Sequence, residues 1–175
     1  RKIGGASVYP PLPQGVAQLS YANNFKWAVS GGEDRYRRGL YTFFKRTSPH
    51  PNLITFDCPD SNVTCVKRNI SNTPIAALAT LNNSVFTDAA KAMAKRLIKE
   101  QNNDAQRITM GFQLCAARKP STKEVTLFLT LLKKAKAFYR ENETEAKAFN
   151  GDAEASAWAT LTRIFLNLDE FITRE

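Results

Sequence analysis

The sequence predicts a mainly α-helical fold: a bundle-like helical array preceded by a loop-rich N-terminal wrap. Three observations carry this expectation. Six of the eight prolines and six of the eight glycines lie before residue 60, and these residues punctuate loops and short elements. From about residue 73 onward the apolar residues recur at helical spacing. Helix-start residues also precede those periodic stretches. With 175 residues, the chain is expected to form one domain over 1–175, with a wrap over 1–72 holding one or two short helices and a helical core over 73–175.

The wrap opens with Pro10-Pro11-Leu12-Pro13, which favours an extended, polyproline-like path. A helix fits Val16 to Val29, with Val16, Leu19, Phe25 and Trp27 as its apolar positions and Gly31-Gly32 as its stop. Residues 35–47 mix basic and aromatic side chains and fit helix or strand. Pro49, Pro51 and Pro59 mark residues 48–66 as a long loop. Such a loop in a compact domain is usually functional or packed as an ordered Ω-type segment.

The core begins where Asn72 or Thr73 caps a helix and Pro74 takes its first position. Ile75, Leu78 and Ala79 give that helix one short face. Ser84 is expected to cap a second helix bearing Phe86, Ala89, Ala90, Met93 and Leu97, and Asn102-Asn103 to end it. Asp104 is expected to cap a third, on which Ile108, Gly111, Phe112 and Cys115 share a face. After Pro120, Ser121 and Glu124 have the spacing of a capping box. Val125, Phe128, Leu129, Leu132, Ala135 and Tyr139 follow on the helix it starts. The last helix is expected from about Ala153, with Trp158, Leu161, Phe165, Leu168 and Ile172 on one stripe. Ile164 widens that stripe and Leu166 adds a second face, so this helix is expected to be central. Lys91, Lys95 and Lys99 repel one another at their spacing and read as a solvated face.

Composition excludes several function classes. With 43% apolar and 23% charged residues the chain is globular and not disordered. It has no apolar run of about 18 residues, the length a membrane span requires. It starts at Arg1 with no n-region or h-region, as expected of a processed chain, a fragment or a module of something longer. Three cysteines exclude a disulfide scaffold and a four-cysteine zinc site, and a single histidine argues against histidine-rich metal centres. Without Cys-x-x-Cys-His, no covalent haem lies within this chain, and no other cofactor or metal is expected in it. Phosphate-binding glycine loops, Gly-x-Ser-x-Gly and His-Glu-x-x-His are missing as well. The net charge is +9, and the excess is uneven: residues 1–72 carry ten basic and four acidic residues. A basic surface attracts nucleic acid, anionic sugar or an acidic protein face.

The candidate site residues lie in the wrap. His50, between two prolines, reads as a loop histidine rather than a catalytic base. Asp57 and Asp60 flank Cys58-Pro59 and fit either a carboxylate pair for acid–base work or a pair of turn formers; the turn reading is preferred. Cys58 and Cys65 fit a loop-closing disulfide or two free thiols, and Cys115 reads as core. Arg35, Arg37, Arg38, Lys45 and Arg46, with Lys67 and Arg68 later, interleave with Tyr36, Tyr41, Phe43 and Phe44. Such a mixture can stack bases and hold phosphates. The preferred reading has the aromatics in the core and the arginines bonding loop carbonyls and Asp57 or Asp60. No catalytic residue is assigned.

Several of these strings occur in an order that resembles a known family. They are Glu33-Asp34-Arg35-Tyr36-Arg37-Arg38-Gly39-Leu40-Tyr41-Thr42-Phe43-Phe44-Lys45-Arg46-Thr47, Thr55-Phe56-Asp57-Cys58-Pro59-Asp60, Cys65-Val66-Lys67-Arg68, and Asn72-Thr73-Pro74 with Ala77-Leu78 and Leu81-Asn82. The terminal run Leu166-Asn167-Leu168-Asp169-Glu170-Phe171-Ile172-Thr173-Arg174-Glu175 completes them. Together they resemble, over nearly the whole chain, the C-terminal part of the planctomycete-specific domain of unknown function that accompanies cytochrome-c-like domains. The stretch before Asn72 departs from it, with Ile70-Ser71 where the family tends to have a basic residue, so no anion-binding role is carried to that position.

The resemblance implies a longer exported parent, periplasmic or extracellular, with haem on upstream domains or partner chains. Its oxidising setting leads to the expectation that Cys58 and Cys65 bridge. Three readings of function follow. The first is a non-catalytic structural or assembly module that docks on upstream domains of the same parent or on other subunits, c-type cytochromes among them. In the second, an enzyme site on an anionic polysaccharide uses Arg35, Arg37, Arg38 and Arg68 for sulfate or carboxylate groups and Asp57 or Asp60 for acid–base chemistry, with Asn72 in the same polar cluster. Nucleic-acid binding ranks third. The first is preferred because no catalytic pair is secure.

Overall fold

The computed structural model of the chain describes residues 2–12 and 26–173. Most of the helix expected over Val16 to Val29 lies outside the described residues, and its end, residues 26–29, is not helical. The fold is mainly α, with no strand among the described residues. The chain divides into two compact units, Arg1–Ala79 with Asn83–Val85 and Thr80–Asn82 with Phe86–Glu175. The division runs through a helix and not at the composition change near residue 73.

Residues 35–47 of the first unit form neither a regular helix nor a strand. Two short 3-10 turns, Gly32–Tyr36 and Gly39–Tyr41, lead into an isolated bridge between Val8 and Thr42. Helix α1 (Pro51–Thr55) lies inside the stretch expected as loop. Its start is set by Pro51 at the first helical position and by the His50 side chain, which accepts from the Asn52 N–H at 3.2 Å. Its end is a Schellman closure: Cys58 N–H donates to Leu53 O at 2.8 Å and Asp57 N–H to Ile54 O at 3.2 Å. Asp57 takes the left-handed conformation that this closure requires, with φ 54°. Helix α2 (Pro74–Asn82) begins as expected, with Thr73 accepting from Ala76 N–H at 3.2 Å. Its face differs from expectation. Ala76 is buried, whereas Ile75 and Leu78 are exposed, because a helix apolar on several sides does not specify which side is covered.

The second unit holds α3 (Ser84–Glu100, whose first two residues belong to the first unit), α4 (Asp104–Ala116), α5 (Thr122–Glu141), α6 (Glu143–Asn150), α7 (Ala153–Phe165) and α8 (Asp169–Ile172). Two expected caps move by one residue. Asn83 Oδ1 accepts from Val85 N–H at 2.9 Å, leaving Ser84 within the helix, and Asn103 Oδ1 accepts from Gln106 N–H at 2.9 Å ahead of Asp104. The capping box of Ser121 and Glu124 forms as expected. On α3 the buried residues are Ala90, Ala94 and Leu97, while Ala89 is exposed.

Helix α7 is central. Ser156, Ala157, Trp158, Ala159, Leu161, Thr162 and Phe165 are all buried on it. Phe165 stacks on Phe128 at 4.6 Å and meets Phe112 edge-on at 5.3 Å. A Cβ on Gly111 would stand 2.7 Å from the Phe165 ring, so only glycine permits this approach. The buried hydroxyls are paired, with Ser156 Oγ donating to Ala146 O at 2.9 Å and Thr162 Oγ1 reaching Ala90 O at 2.8 Å. The helix ends at Phe165, earlier than expected. Thr80 Oγ1 donates to the Asn167 side chain at 2.7 Å, Leu168 turns extended, and α8 starts afresh.

Candidate functional site

The first unit is held by a small aromatic group and a set of side chains that grip the backbone. Val8 N–H donates to Tyr41 O and Phe43 N–H to Val8 O, both at 2.8 Å, which brings Tyr9 onto Phe43 at 5.0 Å. Trp27 packs edge-on against Tyr9 at 5.1 Å and donates its indole N–H to Pro10 O at 2.7 Å. His50 lies beside Trp27 and is buried. Because its Nδ1 accepts from Asn52, its Nε2 carries the proton toward Pro11 O, 3.3 Å away. Burial lowers the His50 pKa from its ordinary value, while bonds to the Pro11 and Pro10 carbonyls oppose the shift in part. This histidine is a structural cap, with both ring nitrogens engaged.

The basic residues separate into two places. Arg37 lies over the Tyr41 ring at 3.7 Å and donates to Lys2 O at 3.2 Å, Gly4 O at 2.5 Å and Ala6 O at 3.4 Å. It clamps the first residues of the wrap. Arg35 lies 5.7 Å from the centre of the Tyr36 ring, and Arg38 is exposed. Arg37 and Arg38 line a cavity with Glu33, Asp34 and Tyr36. Arg68 lies elsewhere, donating through Nε to Asp57 O at 2.8 Å and through Nη2 to Phe56 O.

Asp57, Asp60, Cys58, Cys65 and Arg68 line one further cavity, of about 740 Å³. Asp57 Oδ2 accepts from Ser71 N–H at 2.8 Å and Ser71 Oγ at 2.7 Å. Asp60 Oδ1 accepts from Asn62 N–H at 3.0 Å and Asn62 Nδ2 at 2.6 Å. Arg46 donates to the Asn62 side chain. Both acids therefore shape the loop, their carboxylates accepting from Asn62 and Ser71 and not from the arginines. Asn72 is exposed and does not line this cavity. Cys58 and Cys65 are free thiols, Cys65 with its Sγ toward Lys67 O at 3.3 Å, so the expected bridge is not present in this structure.

A protein-family model described as a protein of unknown function (DUF1553), with the short name PSD1, matches residues 1–132. The chain belongs to this family. The DUF1553 match takes in the first unit and helices through the first half of α5, and the terminal run Leu166–Glu175 lies outside it. Neither the curated proteins nor the solved structures gave a match.

The sequence reading missed the apolar side chains of the cavity. Ile54, Val63 and Val66 line it and are exposed. The one signal available was three aliphatic residues in a proline-bounded stretch with no helical or alternating period.

Proposed function

We propose that the chain is a non-catalytic assembly module of a larger exported bacterial protein associated with cytochrome-c-like domains. One observation carries this reading. Among the described residues, ten of the thirteen large apolar side chains left exposed lie on the first unit. Scattered exposed apolar residues are ordinary, but their concentration on one unit favours a face that meets another protein. The engagement of Asp57 and Asp60 in loop-shaping bonds supports the same reading. Export, a periplasmic or extracellular setting, and haem on upstream domains or partner chains rest on the resemblance of residues 33–47 and 55–60 to the cytochrome-accompanying domain. The partners in this reading are upstream domains of the same parent or other subunits, c-type cytochromes among them.

The test is the mass of the native assembly isolated from source cells under non-denaturing conditions. A longer parent chain or a stoichiometric complex is expected. A monomer that cleaves a sulfated or uronate polysaccharide, with activity lost in Asp57→Asn, would replace the reading with the enzymatic one. Salt-sensitive oligonucleotide binding that disappears when Arg37 and Arg38 become Ala would replace it with nucleic-acid binding.

A further inference from the structure

Resting on the assembly reading, we propose that the cavity formed by residues 44–69 is the docking site, and that its occupant is an acidic protein segment carrying an aliphatic or aromatic anchor. Three features of the first unit point to this occupant.

The first is shape and polarity. The cavity has a volume of about 740 Å³, within the range of sites that hold a small ligand or a few side chains. Ile54, Val63 and Val66 stand at it with 62%, 70% and 99% of their surfaces exposed. Covering them removes apolar surface from water, the main gain available to an anchor residue.

The second is the backbone. Residues 61–70 are exposed throughout, and among the described residues the N–H groups of Thr64 to Ile70 have no protein acceptor. A segment rich in carboxylates and carbonyls supplies acceptors to that run of donors.

The third is charge. Arg46, Lys67 and Arg68 face the cavity. The two acids there already accept bonds, Asp57 from Ser71 and Asp60 from Asn62, whereas the Lys67 ammonium has no partner among the described residues. Residues 1–72 as a whole carry ten basic and four acidic residues. A second copy of this chain, itself at +9, would bring like charge to like. A nucleic acid would engage the cations but leave the aliphatic side chains uncovered.

Three short synthetic peptides probe the site on the full chain by fluorescence anisotropy. One is Asp/Glu-rich with a central Leu-Phe, one has the same charges with a central Gly-Ser, and one is Lys-rich with the central Leu-Phe. The acidic Leu-Phe peptide is expected to bind tightest and to weaken as salt rises. Val66→Asp and Lys67→Glu should each weaken it about tenfold. Val66 is nearly fully exposed, so its substitution leaves the fold intact, as circular dichroism will check. Equal binding of the three peptides, preference for the Lys-rich one, or affinity unmoved by both substitutions overturns the proposal. The native assembly separates the two levels. An assembly of unchanged mass in Val66→Asp overturns this docking site and leaves the assembly reading standing. A monomeric unsubstituted chain that still selects the acidic Leu-Phe peptide overturns the assembly reading and leaves the site.

Discussion

The two units solve the problem of burial differently. The second encloses a contiguous apolar cluster of twelve buried residues, with α7 covered on several sides. In the first, Val8 and Ala76 are the buried apolar residues among those described, and the loops are shaped by hydrogen bonds that Arg37 and Arg68 donate, that Asp57 and Asp60 accept, and that His50 makes through both ring nitrogens. A core of regular helices satisfies its backbone internally, so its side chains are left to pack. Irregular backbone needs side chains to satisfy it. In the first unit Arg37, Arg68, Asp57, Asp60 and His50 are engaged in shaping loops, and ten of the thirteen large apolar side chains left exposed among the described residues lie there.

The largest effects should therefore come from the second unit. Phe165→Ala removes a fully buried ring touching Phe112 and Phe128 and should cost about 3–5 kcal/mol. Thermal melting reads this directly, and an unchanged midpoint would show that α7 is not the keystone. Gly111→Ala places a methyl against the Phe165 ring and should cost about 1–3 kcal/mol. Combining it with Phe165→Leu, which relieves the clash, should give less than the sum of the two losses.

In the first unit the expected effect is about 1 kcal/mol. Asp57→Ala loses the bonds to Ser71 and puts a residue less tolerant of left-handed backbone at the end of α1. Asp57→Asn retains an acceptor and a tolerated conformation, so it should lie much closer to the parent. Equal losses in urea titrations of the two variants would remove the Schellman account of this loop. Val66→Asp should stay within about 0.5 kcal/mol, since its side chain is exposed.

Acid should act on the two units in different ranges. The folded state favours neutral His50, so the stability this ring contributes is complete above its ordinary value of 6.5 and fades as pH falls below it. Protonating Nδ1 also removes the acceptor for Asn52 N–H. Glu124 instead is held at about 2, below its ordinary 4.5, first by hydrogen bonds from Arg118 and then by those from Ser121. Arg118 grips Glu170 as well, at 2.6 and 2.7 Å, and lowers that carboxyl too. The contribution of Glu124 is complete above pH 4.5 and fades toward about 2. An NMR titration should move the Asn52 amide and Trp27 indole signals first and the Ser121 amide later. In Glu124→Gln the later phase should shrink and the earlier one persist. A single simultaneous transition would contradict the assignment.

Sequence alone determined the helical class, most helix starts and the core faces of α4, α5 and α7. Thr73-Pro74 and Ser121 with Glu124 are local signals that act within one turn, and Ile108, Gly111, Phe112 and Cys115 repeat at a period only a helix satisfies. Helix α6 escaped the reading because its short sequence has few large apolar residues, and Ala146 is the one buried in it. Tertiary structure decided the rest. The covered side of α2 was not legible in its own residues, while the bond from Thr80 to Asn167 beyond the end of α7 and the contact of His50 Nε2 with Pro11 O join partners far apart in the chain. The bonding of loop carbonyls by an arginine was legible and is made by Arg68, but the partner of Asp57 was not: it meets Ser71 and no arginine, because the loop closes on itself. Such closure is a property of the folded path. Local propensity carries no record of it, since the contacting residues lie eleven to fourteen positions apart with no period linking them.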